Sequence, residues 1–408
     1  YGLTHLYKIL LTGTYMSSIF KTILKSLFTF SLFVISLTSY AQLPIIPAAP
    51  QIAGSSYLLM DATTGEILVQ KNIDEKLPPA SLTKMMTSYI IEDYIQAGRL
   101  NLDDEVLISD KAWKMAGKGS SMWVPWNSKV AVSDLLRGII IQSGNDAAIA
   151  MAEHIAGDED VFVQMMNQYA SQLGMKSTHF QNSSGWPAKG HYSTAKDLAL
   201  LAKEIVHHDP KLYKIYAEKS FTYGKDPVTG EPIKQSNRNL LLWDDPSVDG
   251  LKTGYTQEAQ YCLVASAKKE STRFISVVMG ASSKRARANE SKKLLSYGFS
   301  FFETATLLNN DKPLHTARVW KGQSEQVNIG IDAAIQKNIQ KGTLDLHDVQ
   351  LEIDPKIQAP ILKGDVLGKI VITLEDKIVH EQALVALEDV EKGGLFKRIW
   401  DAIKLFSS

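Results

Sequence analysis

The sequence predicts an α/β (α+β) domain, followed by a small all-β domain and a C-terminal amphipathic helix. Three observations carry this prediction. Before residue 304, apolar residues recur at helical spacing in several segments, and short β-like runs lie among them. After that point, only short strand-like runs broken by Gly, Pro and Asp remain until the terminal helix. A chain of 408 residues is also too long for one compact core.

Composition narrows the class of protein. Hydrophobic residues make up 45% and charged residues 22% of the chain, as in ordinary globular proteins. Lys and Arg together number 44, as do Asp and Glu, so no excess of positive charge is available to neutralise nucleic-acid phosphates. The single cysteine, Cys262, excludes an intramolecular disulfide and a cysteine-rich metal site.

The N-terminal region has the order of a secretory signal peptide. Lys21 and Lys25 precede the apolar run 27–37, and Ser39-Tyr40-Ala41 supplies a small-residue cleavage pattern. We therefore predict that residues 1–41 comprise an upstream segment and signal peptide, and that the protein is exported. A transmembrane anchor is the alternative, although the uncharged stretch is short for a bilayer span of roughly 20 residues.

Hydrophobic spacing places the elements of the first domain, residues 42–303. Two strands joined by a turn are predicted at 56–60 and 66–69. Periodic apolar residues, with their start and stop signals, then predict helices. These helices cover residues 81–97, 133–141, 145–156 and 288–303. Two later strands cover residues 261–267 and 274–279.

The second domain, residues 304–390, is predicted to be all-β because it consists of short strand-like runs. These runs cover residues 327–331, 344–353, 366–374 and 378–385. The domain contains no constellation of reactive side chains, so we interpret it as a spacer.

The C-terminal segment, residues 391–408, is predicted to be a membrane-anchor helix. After the hinge at Gly393-Gly394, residues 395–406 place their large apolar side chains on one helical face, with Trp400 suited to the headgroup level of a bilayer. The alternative is that the helix docks on the all-β domain. The glycine hinge and the net positive charge of the helix favour the membrane surface.

The first candidate for chemistry is the pair Ser81 and Lys84 at the start of a predicted helix. A separation of three residues places the lysine one turn from the serine on the same face. A partly desolvated lysine with a lowered pKa can remove the serine proton, and the positive helix N-terminus favours anionic character there. Other Ser-x-x-Lys pairs occur, at 193–196 and 266–269 among others, and a serine at a helix start is also an ordinary N-cap.

Two further short motifs lie downstream. In Ser143-Gly144-Asn145 the hydroxyl can relay a proton and the amide can bind a peptide carbonyl. In Lys252-Thr253-Gly254 a cation and a hydroxyl on a strand edge suit a substrate carboxylate, and the glycine permits close approach of a ligand. Each tripeptide by itself is typical of a turn.

The combination of the three motifs in this chain order is the signature of penicillin-binding proteins and class A β-lactamases. The segments 79–89, 142–147 and 248–254 most strongly resemble low-molecular-mass penicillin-binding proteins of the D-alanyl-D-alanine carboxypeptidase group, related to penicillin-binding proteins 5 and 6 of peptidase family S11. The resemblance covers nearly everything after residue 42. It implies a serine β-lactamase/DD-peptidase-like domain with an antiparallel sheet and a helical subdomain.

The resemblance also implies a role for each motif residue. Ser81 is the acyl-ester nucleophile, Lys84 its proton acceptor and Ser143 a proton shuttle. The implied substrate-binding groups are Asn145 at the peptide backbone, Lys252 and Thr253 with Arg238 at the terminal carboxylate, Gly254 beside them, and the backbone N–H of Tyr255, which forms the oxyanion hole with that of Ser81.

The implied reaction removes the terminal D-alanine from peptidoglycan pentapeptide stems through an acyl-enzyme on Ser81, without a metal or another cofactor. β-Lactam antibiotics are implied as covalent inhibitors of the same serine. A DD-endopeptidase, a β-lactamase and a wall-binding scaffold are the alternative functions. With the export signal, the terminal helix implies peripheral attachment at the periplasmic face of the inner membrane. No nucleic-acid partner is expected, and a homo-oligomer is left open.

Two positions depart from the pattern that is usual in this family. Ser184-Gly185-Trp186 stands where a His-Gly-Leu-like segment is usual, and Tyr255 stands where a histidine is common. These departures bear on deacylation, pH dependence and substrate preference.

Three tryptophans, Trp113, Trp123 and Trp126, cluster in a glycine-rich part of the sequence. Their indole rings suit either packing within the loop or stacking on a sugar. A core or loop-packing role is the expected one, and sugar stacking is the alternative.

Overall fold

The computed structural model describes residues 45–225 and 229–406. The predicted signal peptide, within residues 1–41, lies outside the described residues. In the part of the chain that is described, no helix is both long and apolar enough to cross a membrane. The domain limits given above, at 303 and 390, stay predictions.

Helices account for much of the first three hundred or so residues described. The α-helices are α1 Lys84–Gln96, α2 Asp110–Lys114, α3 Val132–Arg137, α4 Asn145–Ala156, α5 Glu159–Gln172, α6 Ala195–His208, α7 Leu241–Asp244, α8 Lys284–Phe301 and α9 Leu395–Phe406. Short 3₁₀ turns occupy Ala80–Thr83, Leu212–Ala217 and Leu344–Leu346, and a wider π turn occupies Gly138–Gln142.

The strands pair antiparallel throughout the named sheets. They are β1 Ser56–Asp61, β2 Ile67–Lys71, β3 Glu105–Leu107, β4 Lys129–Ala131, β5 Ser220–Lys225, β6 Pro232–Ser236, β7 Val248–Thr256, β8 Gln260–Lys269, β9 Thr272–Ala281, β10 Phe302–Leu308, β11 His315–Arg318, β12 Gln326–Gly330, β13 Ile335–Gln340, β14 His347–Ile353, β15 Val366–Leu374 and β16 Lys377–Ala386.

A five-stranded sheet in the order β2-β1-β9-β8-β7 is the centre of the N-terminal part. Successive strand residues point to opposite faces of a sheet, and here both faces are covered. On β1, Leu58 and Met60 join a core with the helices α1, α4 and α6, whereas Tyr57 and Leu59 join a second core with α8. Burial on both faces explains why β8 and β9 were predicted from nearly continuous apolar runs.

Helix α1 lies inside the helical layer, and its residues 84–92 are buried on every side. The sequence predicts a helix from Ser81, but the α-helix begins at Lys84, and Ser81 lies in the preceding 3₁₀ turn. Side chains three residues apart eclipse one another across a 3₁₀ turn. This local geometry therefore brings the Ser81 and Lys84 side chains together.

The helix predicted at 133–141 is divided. Helix α3 ends at Arg137, and the chain continues as the π turn. Gly138 begins that turn in tight contact with Met122, because a Cβ on Gly138 would lie 2.3 Å from the Met122 sulfur. The turn ends at Ser143, which has a left-handed backbone with φ of 63°. The next predicted helix, 145–156, is confirmed as α4.

The C-terminal part has its own apolar core between β-strands. Strands β11-β12-β16-β15-β14 form one sheet in that order, and β10 pairs with β13 in a separate ribbon. The helix predicted at 288–303 is confirmed as α8, although it ends at Phe301, where β10 begins. The run predicted at 344–353 begins with a 3₁₀ turn, and the strand itself starts at His347.

Helix α9 contacts the C-terminal part through its polar side chains. The buried carboxylate of Asp401 accepts the backbone N–H of Lys321 at 2.8 Å, and Lys397 Nζ lies 3.0 Å from Glu325 Oε1. The apolar side chains of the helix are exposed, namely Leu395, Phe396, Ile399, Trp400, Ile403 and Phe406. The helix therefore docks on the C-terminal part, as the alternative interpretation predicts, but through its polar face.

The carboxylate of Asp61 joins β1 to later parts of the chain. It is fully buried and accepts hydrogen bonds from the backbone N–H groups of Thr63 and Thr64 at 2.8 and 3.0 Å. It also accepts bonds from Thr304 Oγ1 at 2.6 Å and Asn338 Nδ2 at 2.8 Å. Four donors from three segments depend on this one side chain.

We expect Asp61→Ala to lower the free energy of unfolding by about 3 kcal/mol, because buried donors lose a charged acceptor. Thermal unfolding measures the effect. The matched control is Asp74→Ala, which removes an exposed carboxylate 3.6 Å from Lys196 Nζ and should cost no more than about 0.5 kcal/mol. Equal unfolding midpoints for the two variants would contradict the role given to Asp61.

Candidate active site

A cleft of about 540 Å³ opens beside the turn that precedes α1. The predicted site residues Ser81, Ser143, Asn145, Arg238, Thr253, Gly254 and Tyr255 all line it. Lys84 and Lys252 are buried beneath this lining. All nine residues singled out from the sequence therefore lie at or directly behind one cleft.

The amine of Lys84 has three close neighbours. Its Nζ lies 2.6 Å from Asn145 Oδ1, 2.6 Å from the backbone oxygen of Ser184 and 3.2 Å from Ser81 Oγ. The first two atoms are carbonyl oxygens, which only accept. A neutral amine has two N–H donors and one lone pair, so the two carbonyls take both donors. The lone pair is then left for the hydroxyl proton of Ser81.

Burial of Lys84 favours the neutral form of its amine. Desolvation is the main cause that lowers the pKa of Lys84 from 10.5 to about 7. The positive charge of Arg238 lowers this pKa further, and the negative charge of Asp146 opposes the shift. Near neutral pH a substantial fraction of Lys84 is therefore able to accept a proton.

The Ser184 carbonyl is held by the loop around it. Asn182 Oδ1 accepts the backbone N–H groups of Ser184, Gly185 and Trp186 at 3.2, 2.7 and 3.0 Å. Gly185 has a φ of 80°, and a Cβ there would lie 1.8 Å from the Ala80 oxygen. Only glycine allows this loop to press on the turn that carries Ser81.

Asn145 orients Lys84 as well as lining the cleft. Its Nδ2 donates to the backbone oxygen of Lys118 at 2.9 Å, which fixes the direction of the oxygen that Lys84 contacts. The next residue, Asp146, was not singled out from the sequence. Its buried carboxylate accepts the backbone N–H groups of Met122, Trp123 and Val124, and so fixes the segment that directly follows the cleft residues Gly119 and Ser120. Its position next to the Ser-x-Asn motif was the available signal.

Ser143 and Lys252 form the second polar pair. Lys252 Nζ donates to Ser143 Oγ at 2.9 Å and to the Thr253 oxygen at 3.1 Å. Burial, with the charges of Lys84, Arg238 and other cations, holds the pKa of Lys252 well below its usual range. The sequence assigns Lys252 to the substrate carboxylate, whereas the structure places its amine on Ser143, behind the lining of the cleft.

Strand β7 is the edge of the central sheet and forms the opposite wall. A Cβ on Gly254 would lie 3.0 Å from the Pro79 oxygen and 3.3 Å from the Ala80 Cβ. The glycine thus lets the strand pack directly on the turn that carries Ser81. The sequence suggests a glycine that admits a ligand, and the structure adds this contact within the protein. The Tyr255 ring packs 4.4 Å from that of Tyr261.

Arg287 of α8 also lines the cleft and was missed from the sequence. Its guanidinium donates to the backbone oxygens of Gly254 at 2.9 Å and Cys262 at 3.3 Å. Burial lowers its pKa to about 10, so it stays charged at neutral pH. No local motif marks this arginine. With Arg238 it makes this end of the cleft positive, which suits a carboxylate ligand.

Comparison with known proteins agrees with this arrangement. The family model described as D-alanyl-D-alanine carboxypeptidase matches residues 44–283, and that of the penicillin-binding protein 5 C-terminal domain matches residues 302–392. The chain is 43% identical over 380 residues to D-alanyl-D-alanine carboxypeptidase DacC of Escherichia coli, covering 92% of this chain and 93% of that one. It is 38% identical to DacF of Bacillus subtilis, covering 83% and 86%.

Solved structures give the same result for the fold. Penicillin-binding protein 5 from Haemophilus influenzae has a TM-score of 0.79 and 42% identity, over 85% of this chain and 100% of that one. Penicillin-binding protein 6B from Escherichia coli has a TM-score of 0.70 and 37% identity, over 84% and 98%. The chain therefore shares its fold class and the order of its elements with these structures, in both its N-terminal and its C-terminal part.

Burial of Lys84 makes stability depend on pH. Its pKa is about 7 when folded and 10.5 when exposed, so between these values the unfolded chain binds more protons. Folding therefore becomes more favourable as pH rises from 7. We expect Lys84→Met to lose this dependence. Between about pH 7 and pH 9.5 the unsubstituted chain should gain on the order of 2 kcal/mol relative to the variant.

Thermal unfolding of both proteins at the two pH values measures that difference. The matched control is Lys176→Met, which removes an exposed lysine and should leave the pH dependence unchanged. A stability difference between the Lys84→Met variant and the unsubstituted chain that stays constant with pH would show that Lys84 keeps its proton in the folded protein.

Proposed function

The chain belongs to the D-alanyl-D-alanine carboxypeptidase family, and from this premise we propose that Ser81 is the nucleophile that removes the terminal D-alanine from peptidoglycan pentapeptide stems. One observation carries the proposal. The buried amine of Lys84 has carbonyl acceptors for both of its N–H donors and a serine hydroxyl at 3.2 Å for its lone pair. This arrangement supports activation of the serine by an adjacent base without imidazole.

Acylation begins with proton transfer from Ser81 Oγ to Lys84 Nζ. Oγ then bonds to the carbonyl carbon of the penultimate D-alanine, and the carbonyl oxygen becomes an oxyanion. The backbone N–H groups of Ser81 and Tyr255 are the proposed donors to that oxyanion. Donors aimed at developing charge are worth roughly 3 to 4 kcal/mol each in the transition state.

Ser143 is the proposed route for the proton to the leaving group. Because Lys252 Nζ donates to Ser143 Oγ, the Ser143 hydroxyl proton is free to move outward. The scissile C–N bond breaks and the amine of the terminal D-alanine takes a proton from Ser143, and the proton that Lys84 removed from Ser81 replaces it overall. Water then adds to the ester carbonyl, the bond to Ser81 Oγ breaks, and the proton returns to Ser81.

The carboxylate of the terminal D-alanine is proposed to lie at the positive end of the cleft. Thr253 and Arg238 line that end, and Arg287 adds a second positive charge there. Burial lowers the pKa of Arg238, which reflects a partly desolvated cation. A bound carboxylate would offset that desolvation, because charge-assisted hydrogen bonds are strong in such surroundings.

β-Lactam antibiotics are proposed to acylate the same serine, because they also present an amide carbonyl next to a carboxylate. We expect Ser81→Ala to abolish both D-alanine release from a pentapeptide and the covalent adduct with benzylpenicillin. Release is measured by D-alanine assay and the adduct by intact mass followed over time. Rapid loss of the adduct with drug turnover would instead favour a β-lactamase.

Ser193→Ala is the matched control, because Ser193 belongs to another Ser-x-x-Lys pair in the chain. It should keep both activities. D-Alanine release that persists in Ser81→Ala would refute the assignment of the nucleophile.

The C-terminal helix is proposed to attach the exported enzyme to the outer surface of the cytoplasmic membrane, facing the periplasm. Its polar face is occupied by contacts of Asp401 and Lys397 with the C-terminal part, so the apolar face points away from the protein. Phe396 is 90% exposed and Trp400 is 60% exposed. Such a helix lies in a bilayer surface with its apolar side chains inserted.

We expect Phe396→Lys with Trp400→Lys to weaken binding to vesicles of phosphatidylglycerol and phosphatidylethanolamine at least about tenfold, because two large apolar groups no longer enter the bilayer. Co-sedimentation measures the binding. The control is Val366→Lys, which replaces an apolar residue that is also exposed in the C-terminal sheet. An equal effect of control and double variant would contradict the proposed anchor.

A further inference from the structure

Three tryptophans lie in the segment that also carries the cleft residues Gly119 and Ser120, and all three are partly exposed. Trp113 of α2 is 44% exposed, and Trp123 and Trp126 in the following loop are 51% and 61% exposed. The rings of Trp113 and Trp126 lie 6.4 Å apart at an angle of 52°. A core role is therefore wrong for these tryptophans, whereas packing within the loop is retained between Trp113 and Trp126. These three side chains, here called the tryptophan surface, are an exposed aromatic patch of the kind that marks binding sites.

The loop that carries Trp123 also contributes to the cleft, and its backbone is fixed by hydrogen bonds. Asp146 accepts the backbone N–H of Trp123 at 2.8 Å and those of its two neighbours, so the chain carrying this ring is fixed to the start of α4. Gly119 and Ser120, a few residues earlier in the same loop, line the cleft itself. Aromatic side chains that are already fixed lose little conformational entropy when a ligand binds.

Trp186 extends the aromatic lining into the cleft. It is 43% exposed and lines the same cleft as Ser81. A Cβ on Gly119 would lie 3.1 Å from its Cζ3 atom, so the indole lies directly across that glycine. The loop bearing the tryptophan surface and the loop bearing Trp186 therefore meet at Gly119. A Cβ on Gly117 would lie 3.7 Å from the Trp123 ring, so this ring packs on the same loop two residues before Gly119.

We propose that the tryptophan surface binds a saccharide ring of the glycan strand that carries the peptide stem. This inference rests on the proposed function. The stem's carboxyl end lies at the cationic end of the cleft, and its other end is amide-linked to an N-acetylated amino sugar. Sugar rings are uncharged and present C–H faces, which the negative face of an indole attracts. The position of the tryptophans next to the cleft fits this occupant.

Two matched substrates test the proposal: a pentapeptide stem alone, and the same stem linked to its N-acetylated disaccharide. The measured quantity is the ratio of kcat/KM for the second substrate to that for the first. We expect Trp123→Ala and Trp126→Ala each to lower this ratio about fivefold to tenfold, mainly through KM. Trp243→Ala is the control, because Trp243 is 44% exposed but lies on α7, which contributes no residue to the cleft lining, whereas the loop of Trp123 and Trp126 contributes Gly119 and Ser120. It should leave the ratio unchanged.

Binding of a peptide-free tetramer of N-acetylglucosamine, followed by tryptophan fluorescence, separates this inference from the proposed function. Binding that is lost in Trp123→Ala supports the surface even if D-alanine release were to fail for every substrate. A ratio unchanged in both variants, with no saccharide binding, overturns the inference and leaves the carboxypeptidase function standing. Loss of vesicle binding in these variants with an unchanged ratio would also overturn it, since the occupant would then be lipid.

Discussion

The burial of one lysine amine is the constraint on which the site depends. Lys84 is enclosed within a helix buried on every side, and its Nζ lies 2.6 Å from each of two carbonyl oxygens. Burial removes water from the ammonium and brings its pKa to about 7, and the two carbonyls direct the lone pair to Ser81. Neither the lowered pKa nor the two fixed carbonyls would by itself be sufficient to make Lys84 a base for Ser81. A neutral amine without fixed acceptors would rotate, and fixed acceptors around an ammonium would leave no lone pair.

Much of the surrounding structure serves to hold those two carbonyls and the serine. Gly185 lets one loop press on the turn at Ala80, and Gly254 lets β7 press on the same turn from the other side. The carboxylate of Asp146 fixes a third segment by accepting the backbone N–H groups of Met122 and Trp123. Two buried lysines oppose folding, because the unfolded chain protonates them more readily. The apolar cores on both faces of the central sheet supply the stability that offsets this cost.

Two surfaces outside the cleft depart from the usual burial of large apolar side chains. Helix α9 uses its polar residues to dock and leaves its apolar side chains exposed, which is the reverse of an ordinary packed helix. The indole rings of the tryptophan surface are likewise exposed to solvent instead of packed into a core. Both surfaces have apolar side chains facing outward on rigid elements, and neither contributes to the two cores of the central sheet.

The sequence by itself predicted the type of reaction and the class of fold. The spacing of Ser81 and Lys84 is local, and each short motif is a run of neighbouring residues that can be read directly from the sequence. It also placed α1, α4 and α8 from apolar periodicity. Only the tertiary structure decided that Lys252, 109 residues beyond Ser143, contacts that serine rather than the open cleft. It likewise revealed Arg287 and the exposure of the tryptophans. The physical reason is that periodicity reports which residues avoid water locally, whereas hydrogen-bond partners and exposure are set by distant segments that fold against them.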